Sequence, residues 1–195
     1  MRRPLALCLA IFLSLLPTVV SADGAWLDEP APTNWNQPGM SVPDAPPPSG
    51  PIDPRQILRN RWAETPEDES VAQTGWHLYT EYLAGWNVKV INATSGFDGM
   101  GRPNGYQVFV FVDGVYAGTL SPDLMNARTD GAANRVFLTG RDSINAEFAR
   151  YTATDALCCP SATTAVTYTI NRTDAGPVII PASTTNITAT SADGA

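Results

Sequence analysis

Cys158 and Cys159 stand side by side ahead of Pro160, and the only other cysteine, Cys8, lies near the start of the chain. A bond between neighbours closes a ring that contains only themselves, so it cannot staple distant parts of a fold. Three states stay open for the pair: a vicinal disulfide that makes a rigid, comparatively reducible turn, two reduced and buried small hydrophobes, or pairing between chains. Adjacent thiolates point apart, and the sole histidine, His77, stands far upstream with no ligand spacing, so no metal site is expected. His77 would have to carry any Ser-His-Asp or Cys-His chemistry. Set in Trp76-His77-Leu78-Tyr79, it reads instead as a packing residue satisfied by one hydrogen bond. Asp98, Asp113, Asp123, Asp130 and Asp142 all adjoin glycine, proline or turn residues, where Asp commonly caps backbone. No pair of them stands out as acid and base. The sequence therefore assigns no catalytic residue, and the balance is against an enzyme.

Gly99-Met100-Gly101-Arg102-Pro103-Asn104-Gly105 resembles a phosphate-cradling loop only superficially. It lacks the third glycine at the required offset, contains proline and leads into a strand, so it reads as a flexible hairpin loop and no cofactor is expected. Ser121 to Asn134 is more informative: it exceeds an ordinary hairpin link and gathers Asn126, Arg128, Thr129, Asp130 and Asn134. These five residues are the candidate ligand-binding set, since long ordered loops on a rigid sheet often bind something. The competing reading is that Arg128 and Asp130 simply lock the loop. Three Asn-X-Thr patterns, beginning at Asn92, Asn171 and Asn186, read as chance.

The elements that must position these residues follow from composition and periodicity. The 195 residues are 44% hydrophobic and suffice for one ordinary core. A net charge of −7 and a pI near 4.5 argue against nucleic acid or an anionic membrane as partner. Residues 1–22 show the three-part plan of a secretory signal: Arg2-Arg3, an apolar run from Leu5 to Leu16, and small residues closing at Ala22. The run is too short for a permanent span, so export with cleavage near Ala22 is expected, placing the protein in the periplasm or the medium. Residues 23–52 are rich in proline and read as a disordered tether, with Trp26 and Trp35 as indoles needing something to pack against. Residues 53–172 read as the globular domain and 173–195 as a mostly disordered tail with an edge-strand option at Val178-Ile179-Ile180.

Within the domain, Asp53-Pro54-Arg55-Gln56 predicts a short helix with Ile57, Leu58 and Trp62 on its apolar face. The acidic run Glu64 to Glu69 reads as a solvated connection. Strands follow: Asn87 to Asn92, a hairpin of Tyr106 to Val112 and Val115 to Leu120 about Asp113-Gly114, a second hairpin of Arg135 to Thr139 and Ser143 to Tyr151, and Ala165 to Asn171. Trp76 to Trp86 predicts a further strand or helix. Val108, Val110 and Val112 oppose Phe109 and Phe111, which predicts a central strand covered on both faces. The fold class is α+β, mainly β: an antiparallel meander of five or six strands with a short N-terminal helix.

The segment from Tyr106 through Ser121-Pro122, with Arg128-Thr129-Asp130-Gly131, Phe148-Ala149-Arg150-Tyr151 and Cys158-Cys159-Pro160-Ser161, resembles the LppP/LprE family of exported bacterial proteins over roughly Gly75 to Asn171. The family is named for lipoproteins, and this chain lacks a well-placed lipidated cysteine. The resemblance implies a compartment and a domain, but no activity or catalytic residues. The expected role is a non-enzymatic envelope or secreted domain binding a protein, glycan or small ligand. The alternatives are an extracytoplasmic redox protein or enzyme using Cys158-Cys159 or His77, and a structural envelope component acting through the tether.

Overall fold

Alternation of branched and aromatic residues with polar ones makes most of this chain strand. The computed structural model describes residues 24–48 and 60–188, which hold ten strands and one α-helix. They form two antiparallel sheets rather than one meander. The first contains β1 (His77–Leu78), β2 (Leu83–Gly85), β3 (Val88–Phe97), β4 (Pro103–Val112), β5 (Val115–Thr119) and β6 (Met125–Asn126). The second contains β7 (Ala133–Gly140), β8 (Ser143–Arg150), β9 (Ala162–Thr173) and β10 (Gly176–Thr188), in the order β10-β9-β8-β7. The division was hidden because each hairpin satisfies the same alternation whichever sheet it joins.

β4 is the predicted central strand, flanked by β3 and β5. Val108, Val110 and Val112 face the second sheet, packing with Ile144, Ala146 and Phe148 of β8 and Val166, Tyr168 and Ile170 of β9. Phe109 and Phe111 face the other way, against Val71, Trp76, Leu78 and Tyr116. Asp113 and Gly114 both take positive φ, 52° and 80°, as the two-residue hairpin turn requires. The expected strand within Trp76 to Trp86 is two short ones, β1 and β2.

The helix predicted from Asp53 starts outside the described residues; Trp62, assigned to its apolar face, is described and is 89% exposed. Helix α1 is Pro66–Gln73, inside the acidic run read as a connection. Thr65 caps it by accepting from the Asp68 N–H, Pro66 opens the first turn, and Glu67, Asp68 and Glu69 favour the positive end of the helix. Asp68 is fully buried, paired bidentately with Arg61 at 2.7 and 2.6 Å and accepting from the Glu64 N–H. A charge run is thus partly a core ion pair.

Residues 24–48 also differ from a free tether. A 3-10 turn, Ala25–Asp28, puts Trp26 and Leu27 into the main core, with Trp26 edge-on to Phe148 and to Trp35. The Pro30 carbonyl accepts from the Thr184 N–H of β10, and buried Asn36 bonds to Thr119 at the end of β5 and to the Ile179 carbonyl. Further on, Val42 and Ala45 pack on the second cluster, and the Pro43 carbonyl accepts from the Trp76 indole. Prolines deny this segment its own ladder, so it satisfies its polar groups against the sheets and acts as a strap. The tail read as mostly disordered is instead strand over most of its described length: β10 pairs along β9 from Gly176 to Thr188, well beyond the edge option at Val178-Ile179-Ile180.

Candidate functional site: the open seam between β2 and β7

Two sheets facing each other meet along two lateral seams. On one side β10 lies against β5, and the strap runs over that junction through Asn36. On the other side β2 and β7 approach, yet among the described residues no backbone hydrogen bond joins them. A groove follows this seam. Its polar half encloses about 410 Å³ and is lined in part by Tyr79, Glu81, Asn92, Arg128, Asn134 and Arg135. Its apolar half, about 420 Å³, is lined by Leu83 to Trp86 and Val136 to Leu138. Leu83 and Val136 belong to both halves, so the two are continuous.

The expected loop Ser121 to Asn134 is interrupted: Asn126 ends β6 and Asn134 lies in β7, and the five candidate residues divide into two groups. Asn126 accepts from the Gly105 N–H through Oδ1, while its carbonyl accepts from the Thr129 hydroxyl. Asp130 accepts from Arg150 Nε at 3.0 Å and from the Tyr151 N–H at 2.8 Å. These three hold the loop together, as the competing reading anticipated for Asp130. Arg128 and Asn134 instead face the groove. Arg128 is exposed, sits at φ 66°, and forms no hydrogen bond or ion pair with another described residue. Asp130 therefore locks the loop, and Arg128 does not.

Sequence reading missed the other groove residues, because they converge only when two sheets stack. Arg135 of β7 is 70% exposed and stands 3.9 Å from Glu147, too far for a tight pair. Tyr106 donates to the Ala133 carbonyl, and burial holds the Tyr79 and Tyr106 phenols well above their ordinary pKa, so both are neutral donors. Trp86 is 58% exposed at φ 51°, beside Asn87 at φ 59°. Positive φ is unusual for a bulky side chain and strained backbone is often found at functional positions. The available signal was the pair Trp86-Asn87 between Leu83-Ala84-Gly85 and Val88: Asn tolerates such a turn, and Trp is out of place in it.

Cys158 and Cys159 lie away from the groove, bonded to each other and both exposed beside exposed Leu157. The buried-thiol alternative does not describe this arrangement. Asp155 clasps their loop, accepting from the Thr152 and Ser161 N–H groups and both hydroxyls; these bonds lower its pKa to about 2. Because the disulfide closes no chain loop, the Cys158→Ser/Cys159→Ser variant is expected to melt within about 2 °C of the parent. Differential scanning calorimetry checks this, and a drop of 8 °C would show that the bond carries the loop.

His77 is half-buried with Nδ1 3.3 Å from Asn60 Nδ2, a packing position. The glycine-bearing loop after β3 is more ordered than expected: Asp98 accepts from the Met100 and Arg102 N–H groups and pairs with Arg102. No helix among the described residues is long and apolar enough to cross a membrane.

The class these features define is an antiparallel two-sheet β protein with one strapped seam and one open, ligand-sized seam. Residues 86–173, from the Trp86 turn to the end of β9, match the LppP/LprE lipoprotein family. No curated protein and no solved structure matches the chain.

Proposed function

We propose that this is a non-enzymatic, exported, envelope-associated domain that binds an envelope or extracellular ligand in the open seam between β2 and β7. The observation that carries the reading is Arg128, an exposed guanidinium without a partner among the described residues, lining a groove whose own loop is fixed by other residues. A buried or paired arginine would be structural, so the exposure of this one supports a ligand-binding role. The family match supports export, since its members are named as lipoproteins, and the signal-like residues 1–22 support cleavage near Ala22. Whether the released chain stays in the periplasm or enters the medium is part of the same reading.

Arg128→Ala is expected to lose at least tenfold in recovery of a ligand from envelope extract, with an unchanged circular dichroism spectrum and melting temperature. Equal recovery by parent and variant would remove the groove from the proposal. The exposed Cys158–Cys159 bond favours a second reading, an extracytoplasmic redox protein. Loss of function in the double serine variant, with Arg128→Ala silent, would select it.

A further inference from the structure

β-Sheet edges present unpaired N–H and C=O groups and are normally covered, charged or broken by proline. Three edges of this protein are treated in that way. β10 carries Pro177 and Pro181 and is bonded by the strap through Thr184. At the end of β5, both backbone groups of Thr119 are taken by Asn36. β1 is met by the Asn60–Tyr79 bridge and by the Arg61 N–H donating to the Leu78 carbonyl. β7 carries Arg135, gives its Ala133 carbonyl to Tyr106 and has β2 alongside, but among the described residues no proline, strap or backbone hydrogen bond covers the rest of its outer edge or the β2 edge facing it. β7 has eight residues without proline or lysine, about 26 Å of extended chain.

We infer that the β2–β7 seam takes up an extended polypeptide strand carrying an acidic residue, which pairs with the free edge of β7. The inference rests on the proposed groove function and names its ligand class. A strand offers N–H and C=O groups at the repeat that an unpaired edge requires, which a compact small molecule does not. Alternate side chains would reach Trp86, Phe137 and Leu138 at the apolar half; Trp86 and Phe137 are already 58% and 44% exposed. At the polar half, Arg128 and Arg135 outnumber Glu81 on the facing wall. That leaves a local cationic end in a chain of net charge −7, which fits a carboxylate.

The test is selection of a displayed random decapeptide library on the full-length mature protein, followed by amide hydrogen exchange with the enriched peptides. The expected result is enrichment of an Asp or Glu beside alternating apolar residues, at least tenfold slower exchange at alternate β7 amides, and at least tenfold weaker binding after N-methylation of alternate peptide amides. Arg128→Ala/Arg135→Ala should weaken the acidic peptides most. Peptides that bind without slowing β7 exchange would overturn strand pairing while leaving the groove a binding site. Slow β7 exchange that appears with protein concentration alone, together with a dimer mass, would make a second copy the occupant and also overturn it. No enrichment above a Phe137→Asp control overturns it too. In that case the Arg128→Ala recovery experiment separately decides whether the groove binds another ligand.

Discussion

Gly118→Ala is expected to destabilise the protein by roughly 3–5 kcal/mol, combining backbone strain with loss of a buried hydrogen-bond cluster. Gly118 sits at φ 128°, next to the bulge in the β4–β5 pairing. A β-carbon there would stand 2.2 Å from Asn36 Oδ1 and 2.3 Å from its Cγ. Asn36 cannot step aside cheaply: it accepts from the Thr119 N–H at 2.9 Å and donates to the Thr119 and Ile179 carbonyls at 3.0 and 3.1 Å. The variant must therefore distort β5 or expel the strap, and expulsion would wet Trp26 and Trp35. Urea unfolding with tryptophan fluorescence reads both effects. Asn36→Ala, which removes the bonds and introduces no crowding, is expected to lose about 2 kcal/mol. A Gly118→Ala protein as stable as the parent would show that the strap is not held by this contact.

Asp68→Ala is expected to lose about 3 kcal/mol, because Arg61 is left with a largely buried, unpaired charge. Arg61 keeps some solvent contact, with 15% of its side chain exposed, which puts the loss at the low end for a broken buried pair. Desolvation raises the Asp68 pKa, but the Arg61 and Glu64 hydrogen bonds outweigh it and the net shift is downward. The Lys89 ammonium lowers Glu67 in the same helix turn. A carboxylate depressed in the folded state binds fewer protons there than in the unfolded chain. Its stabilisation is therefore complete above the unfolded value, about 4, and is lost as pH falls through the folded value. Melting temperatures of the parent measured from pH 7 to pH 2 should fall below pH 4, and the Asp68→Ala protein should fall less. Parallel curves would mean that the pair does not link folding to protonation.

The parts legible in the sequence were those governed by neighbouring residues. Val108 to Val112 announces a strand covered on both faces, and Asp113-Gly114 announces its turn, because side-chain alternation and positive φ are local demands. The helix at Pro66–Gln73 was missed for a related reason. Thr65-Pro66 is a good start signal, but the acidic run after it reads as solvated until Asp68 is seen buried against Arg61. The strap was read as free chain because proline content reports what a segment cannot do alone, whereas Asn36 and Trp26 find partners more than eighty residues away. Of the candidate site, Arg128 and Asn134 were legible as polar groups on a long loop. Their companions Tyr79, Trp86 and Arg135 were not, since the groove exists only between two sheets and no periodicity encodes that distance.

The docked strap would also set how far the domain could stand from anything attached to its N-terminal end. Left free, the 25 residues from 24 to 48 would give a leash of about 25–30 Å as a coil and nearly 80 Å as extended polyproline II. With Gly24 lodged against Asp130 and Gly131 and Leu27 in the core, that slack is gone. A surface attached just before residue 24 would carry the domain close to it, with its orientation fixed by the strap's contacts with the sheets.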